Sequence, residues 1–243
     1  MAAQNAGNAK NILVGASPLF ISNIDSTTAG YASYENAEPG TTSAGAFVTG
    51  ESYTKTLNDA TASSTPTFYY RNVGFTNNGL QITYNPTFDS VTVDQLLDTA
   101  KLFKSAMEVM IATEMSEGTL ENVLVVFGQP DDPTNNTAIS QNNTIISTGT
   151  GTSKKDTLGV AAGALGIAPT ERQLIAVGQA PSTAGRAERV YYARRVLSVQ
   201  QSAFTLARSA PTTFPVTFRL LPTAMSGYEG QEYGKIIDRV LAV

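Results

Sequence analysis

Directly after Asn77-Asn78-Gly79 the chain runs Leu80, Ile82 and Tyr84 in alternation with Gln81, Thr83 and Asn85. Side chains two residues apart share one face of a strand, so this stretch has a greasy face and a wet face, the pattern of a half-buried antiparallel sheet. Val73 and Phe75 stand on the other side of the Asn-Gly pair, whose easy left-handed backbone closes tight turns; a hairpin turning at Asn78-Gly79 is therefore expected. Another strand is expected after Asn85-Pro86, with Val91 and Val93 on one face and Ser90, Thr92 and Asp94 on the other. Ile12 to Gly15 reads as a first strand, and Leu174 to Val177, Arg189 to Gln200 and Phe214 to Leu221 as later ones.

The segment Asp94 to Met115 fits two periods. Leu96, Ala100, Phe103, Met107, Met110 and Ile111 make a helical stripe, while Met107, Val109, Ile111 and Met115 make a strand face; periodicity alone leans towards helix. Thr119 can cap a short helix whose Leu120, Val123, Leu124 and Phe127 share one side and pack on a sheet, with Gly128 and Pro130 ending it. Residues 22–66 and 129–157 are rich in Ser, Thr, Asn and Gly and read as an extended arm and a second long loop. Stretches of that length are uncommon in a compact domain unless they have a task, such as being ordered by a neighbouring subunit. The whole therefore reads as mainly β: one β-sandwich domain over residues 1–243, with a single short flanking α-helix and long arm and loop insertions.

The chemistry open to such a chain is narrow. Among 243 residues there is no Cys and no His, which removes thiolate nucleophiles, disulfides, Cys/His zinc sites and Ser-His-Asp triads together. Ser52-Tyr53-Thr54-Lys55 matches Ser-x-x-Lys without its usual companion motifs. Glu108 and Glu114, taken as a strand pair, stand roughly 20 Å apart, too far for either glycosidase geometry. Asp131, Asp132, Asn135 and Asn136 lack calcium-loop spacing, and Gly149 to Lys155 lacks phosphate-loop spacing. No enzyme activity, metal or cofactor is expected.

Charge points towards association instead. Charged residues make up 15% of the chain, and their signs are segregated: residues 1–130 hold 5 Lys/Arg and 12 Asp/Glu, residues 131–243 hold 11 and 8. Head-to-tail contact of identical copies would bring opposite signs together. Arg189, Arg194 and Arg195 are candidates to meet carboxylates of a neighbouring copy, and Tyr31, Tyr34 and Tyr53 are candidate contacts along the arm. With a sequence pI near 4.9, tight phosphate binding is not expected. No apolar run is long enough to span a bilayer, so no membrane partner is expected and assembly in the cytoplasm is the default.

Several elements carry a resemblance to a known family: Val73-Gly74-Phe75-Thr76-Asn77-Asn78-Gly79, Val91-Thr92-Val93-Asp94-Gln95, the run Ala112 to Asn122, and Phe214-Pro215-Val216-Thr217-Phe218-Arg219-Leu220-Leu221-Pro222. Together, over roughly residues 68–128 and 170–240, these resemble the major tail tube proteins of long-tailed bacteriophages. The resemblance implies a tail-tube-like sandwich that closes into rings, hexameric in that family, whose inner sheets join in one barrel and whose rings stack into a tube for phage DNA. It also implies that residues 105–116 are a strand leading into the helix. The implied partners are further copies of the chain, the tape measure protein, other tail proteins and DNA sliding without sequence-specific binding; the implied place is the virion tail, assembled in the host cytoplasm. A lumen passing a polyanion should be neutral or acidic, which makes Gln81, Thr83, Asn85, Glu108 and Glu114 its candidate lining. A tailocin or secretion-apparatus tube is an alternative of the same build. An adhesive or carbohydrate-binding β-sandwich is one of a different class, disfavoured by the absence of Trp.

Overall fold

The computed structural model describes residues 15, 17–25, 52–56, 67–95, 98–129, 145–160, 169–181, 187–199, 202–206, 208, 211–224 and 227–240. The described chain is mainly β. Its strands are β1 (Leu19–Asp25), β2 (Ser52–Thr56), β3 (Thr67–Asn72), β4 (Thr76–Thr92), β5 (Thr99–Met115), β6 (Ile145–Thr148), β7 (Lys155–Leu158), β8 (Arg172–Gln179), β9 (Ala187–Ser198), β10 (Phe214–Leu220) and β11 (Gly234–Val240); α1 (Leu120–Val126) is the α-helix among the described residues. Nine strands form one antiparallel sheet in the order β2-β3-β1-β8-β9-β10-β5-β4, with β11 also on β9, and β6 and β7 form a separate pair.

The sheet forks at β9. One edge of β9 carries β8; the other carries β11 along Ala187 to Ala193 and then β10 along Val196 to Ser198. One long strand thus serves two neighbours end to end, and β10 and β11 diverge from it. Leu19 and Ile21 of β1, Leu174 and Ala176 of β8, Val109, Ile111 and Met115 of β5, Phe214, Val216 and Phe218 of β10, and Leu124 to Val126 of α1 meet in one apolar cluster. β8 is buried on both faces, since Ile175 is covered as fully as Leu174. The buried Tyr70 hydroxyl donates to Gln173 Oε1 at 2.6 Å, so this polar pair is satisfied within the interior.

Three expectations are corrected by this architecture. First, Thr99 to Met115 is a strand of 17 residues, not the helix towards which periodicity leans, and it contains nearly all of the strand that the resemblance implies for residues 105–116. Its backbone is claimed on one side by β4 and on the other by β10, and the β-branched Val109, Ile111 and Thr113 fill the buried face, so sheet pairing overrides the helical stripe. Second, Asn78-Gly79 does not turn the chain. Both residues have left-handed backbone (φ 61° and 70°), but Asn77 faces Glu114 and Gln81 faces Ala112 on the same partner, so the pair forms a bulge inside β4. The Thr113 hydroxyl donates to Gly79 O at 2.9 Å across it. Third, β4 runs straight through Pro86, which a strand tolerates at a sheet edge, so the two strands expected around Asn85-Pro86 are one.

The insertions are likewise less bare than expected. Residues 22–25 belong to β1 and Ser52–Thr56 to β2, which pairs with β3, so the expected 22–66 arm begins and continues as sheet. Within 129–157, β6 and β7 pair across a short 3-10 turn at Gly151–Ser153, which accounts for the glycine-rich run there as a hairpin loop. Ile12 to Val14, Tyr31, Tyr34 and Asp131 to Asn136 lie outside the described residues.

Candidate assembly surface

Register places all five candidate lining residues on one face. Directly opposed residues of antiparallel neighbours point the same way. Gln81 faces Ala112, Thr83 faces Met110, Asn85 faces Glu108 and Asn77 faces Glu114, so Gln81, Thr83, Asn85, Glu108 and Glu114 line the side of the β4–β5–β10 sheet turned away from the core. Arg219 on β10 shares that face and reaches Glu108 at 3.6 Å, and Asn77 Nδ2 donates to Glu114 Oε2 at 3.3 Å. The face is largely polar, with Met110 and Ala112 among its polar residues, and Arg219, the arginine of these three strands, is matched by a carboxylate.

The opposite face of the same hairpin is apolar and only partly covered. β10 flanks β5 from Met115 to Met110 and no farther. Beyond Met107, whose carbonyl accepts from the Tyr233 hydroxyl at 3.5 Å, the β4–β5 hairpin overhangs as a two-stranded ribbon, with a bulge between Thr87 and Phe88. Residues that would continue the core-facing row are left in solvent: Tyr84 is 61% exposed, Phe88 57% and Leu102 64%. An isolated hairpin is marginal in water, and exposed apolar rows of this kind mark surfaces that meet something. β2 and β4 end the sheet among the described residues, and β5 outside Met110 and β11 on its side away from β9 add further strand edges with no pairing among those residues. Such edges are templates for another chain.

The three candidate arginines are engaged within the chain. Arg189 on β9 makes a two-pronged pair with Asp238 on β11 at 2.6 and 2.7 Å. The hydrogen bond from Arg189 holds the Asp238 carboxyl below the usual carboxylate range, and the same bond raises the guanidinium further above its own ordinary value. A lowered carboxyl contributes stability that is full above its unfolded value and fades as pH falls through the folded one. Asp238→Asn is therefore expected to leave the neutral melting temperature nearly unchanged, as befits a solvent-exposed pair, while flattening the part of the acid-side decline below about pH 4 that this carboxyl supplies; melting curves across pH check it. Arg195 makes a two-pronged pair with Glu171 at 2.7 and 2.8 Å and donates to Pro222 O. Arg194 is fully buried, donating from Nε to Gln231 O and lying 4.1 Å from the Tyr228 ring centre, so it pins the 227–233 loop to the sheet instead of reaching a surface. Tyr53 sits on β2 opposite Tyr70.

Helix α1 is capped as expected, with Thr119 accepting from the Asn122 amide. Leu124 is buried, Leu120 and Val123 are half-buried and Phe127 is exposed beside Phe204, while Val125 and Val126 are buried, so the covered stripe lies one residue round from that expected. The residue missed by sequence reasoning is Asn122. Fully buried, it accepts from Arg71 Nη1 at 2.8 Å and donates to Val73 O and Glu117 O at 2.9 Å each, tying helix, β3–β4 connection and β5–α1 connection to one amide.

Among the described residues no group of three or more His, Cys, Asp or Glu is placed to hold a metal ion, and no helix is long and apolar enough to cross a membrane. No family model matches the chain, and no curated protein matches it at a significant level.

Proposed function

We propose that the chain is a virion structural protein, a tail-tube subunit that closes with its copies into rings, hexameric by resemblance, and stacks into a conduit for phage DNA. The observation that carries this reading is the pairing of open strand edges with a single polar sheet face. Edge pairing between copies satisfies backbone groups that a lone chain leaves to solvent, and closure into a ring removes the edges altogether. The face bearing Gln81, Thr83, Asn85, Glu108 and Glu114 then lines the passage, where a wall without unmatched arginines lets phosphates slide. On this reading the forked sheet folds over its core as the two layers of a sandwich, with α1 at the flank. Tape measure and other tail proteins would meet the finished tube, in the virion.

The test is electron microscopy of the purified chain at rising concentration. Rings and tubes are the expected particles; chains that stay single at the highest attainable concentration would refute the reading. A tube of a tailocin or secretion apparatus would look alike, and DNA-filled particles from producing cells distinguish the phage tail from it.

A further inference from the structure

We infer that the cleft between β5 and β11 receives the far end of the β4–β5 hairpin of a second copy, head to tail; this rests on the reading that copies of the chain associate. The cleft lies where β10 and β11 diverge from β9 and has a volume of about 370 Å³. Its walls are apolar: Tyr84, Met107 and Val109 on the hairpin side, Tyr191 and Ile236 on the other. Ile236 is 65% exposed although it stands in a strand opposite Tyr191, so the wall lacks a cover among the described residues. The edge of β11 and that of β5 flank this apolar floor; the Met107 carbonyl already accepts from the Tyr233 hydroxyl, and the strand edges on either side of that contact have no strand partner among the described residues. The complement is an extended segment with its own open edges and one apolar row, docking by strand addition.

The same chain carries that complement. The overhanging hairpin has two unpaired edges among the described residues and shows Phe88 and Leu102 on its core-facing side. It cannot fill its own cleft, because the strand that ends in the overhang is the strand whose Met107 and Val109 form the cleft wall, and reaching back would break β5 in the middle. Charge agrees with a second copy. The hairpin from residue 76 to 115 carries five carboxylates against two lysines, with Asp94 and Asp98 at its end, whereas β11, whose Asp238 is matched by Arg189, brings Arg239 and Lys235, the latter in the cleft lining. Opposite signs on two different surfaces of one chain favour a heterologous contact, which propagates where a self-complementary one stops at a dimer.

Because the chain has no native cysteine, introduced thiols report this contact without background. Leu102→Cys and Ile236→Cys both alter exposed side chains, and circular dichroism verifies that each variant keeps the fold. Mild oxidation of the two variants mixed is expected to give a covalent heterodimer in large excess over either homodimer, and the double variant a ladder of covalent oligomers. An excess of Leu102→Cys homodimer would replace the heterologous contact with a symmetric one and overturn the inference. So would an internally bridged monomer of the double variant, or an Ile236→Asp chain that loses thermal stability while assembling as before, since both place the chain's own segment in the cleft. No cross-link from variants that still form rings would sink the docking and leave the assembly reading standing; a wild-type chain that never associates would sink both.

Discussion

Asn122→Leu is expected to lower the unfolding free energy by about 3 to 5 kcal/mol, read as a fall in urea midpoint at unchanged slope. Leucine keeps the branched skeleton of asparagine, but its two methyl groups are bulkier than the amide, so crowding at this fully buried site adds to the loss of the hydrogen bonds. Two backbone carbonyls, Val73 O and Glu117 O, lose their donor, and the Arg71 guanidinium loses its 2.8 Å acceptor. Each polar group left unsatisfied in the interior costs about 1 to 3 kcal/mol. A change below about 1 kcal/mol would mean that water reaches these groups and that Asn122 is not the tie between α1 and the sheet.

Gly234→Ala is the second large effect, expected at about 3 kcal/mol or more. Gly234 opens β11 at φ 148°, and a Cβ there would overlap the Tyr192 carbonyl oxygen and crowd Ala193 Cα at 3.1 Å. The obstacle is backbone in the middle of β9, which cannot swing aside as a side chain can. The substitution should loosen β11 from β9 at the fork and therefore weaken the 102–236 cross-link together with stability. Chemical denaturation gives the first number and the oxidation assay the second. A variant as stable as wild type would show that β11 tolerates a shifted start.

What could be read from the sequence follows from how local each signal is. The alternation at Leu80 to Asn85 and at Phe214 to Leu220, and the Thr119 cap, depend on neighbours in the chain and reappear as strand and helix. Over Thr99 to Met115 periodicity leans the wrong way, because Met107 and Ile111 satisfy both periods and pairing with β4 and β10 decides for the strand. Asn78-Gly79 specifies two left-handed residues but not the destination of the following strand, so the same dihedrals serve a bulge as well as a turn. The arginines were legible as charge and not as partnership: Glu171 and Asp238 are far from Arg195 and Arg189 along the chain. Asn122 looked like an ordinary polar position because nothing local says that three groups converge on it. The five polar face residues share a face through register, whereas Tyr84, read on the greasy face with Leu80 and Ile82, lies in solvent, as does Phe88 farther along, because the strand outruns its neighbour.

The place of β8 in the sheet sets a timetable for the newborn chain. β1 near the amino end pairs with β8, and Arg172 bonds back to Ser22 O across 150 residues. Such distant closures make refolding slow, on the order of milliseconds to seconds. During synthesis β1 must wait, its Leu19 to Ile21 unsheltered, until the ribosome has released the strand that covers it; abundant production would then draw on chaperones, and early truncation would yield insoluble fragments.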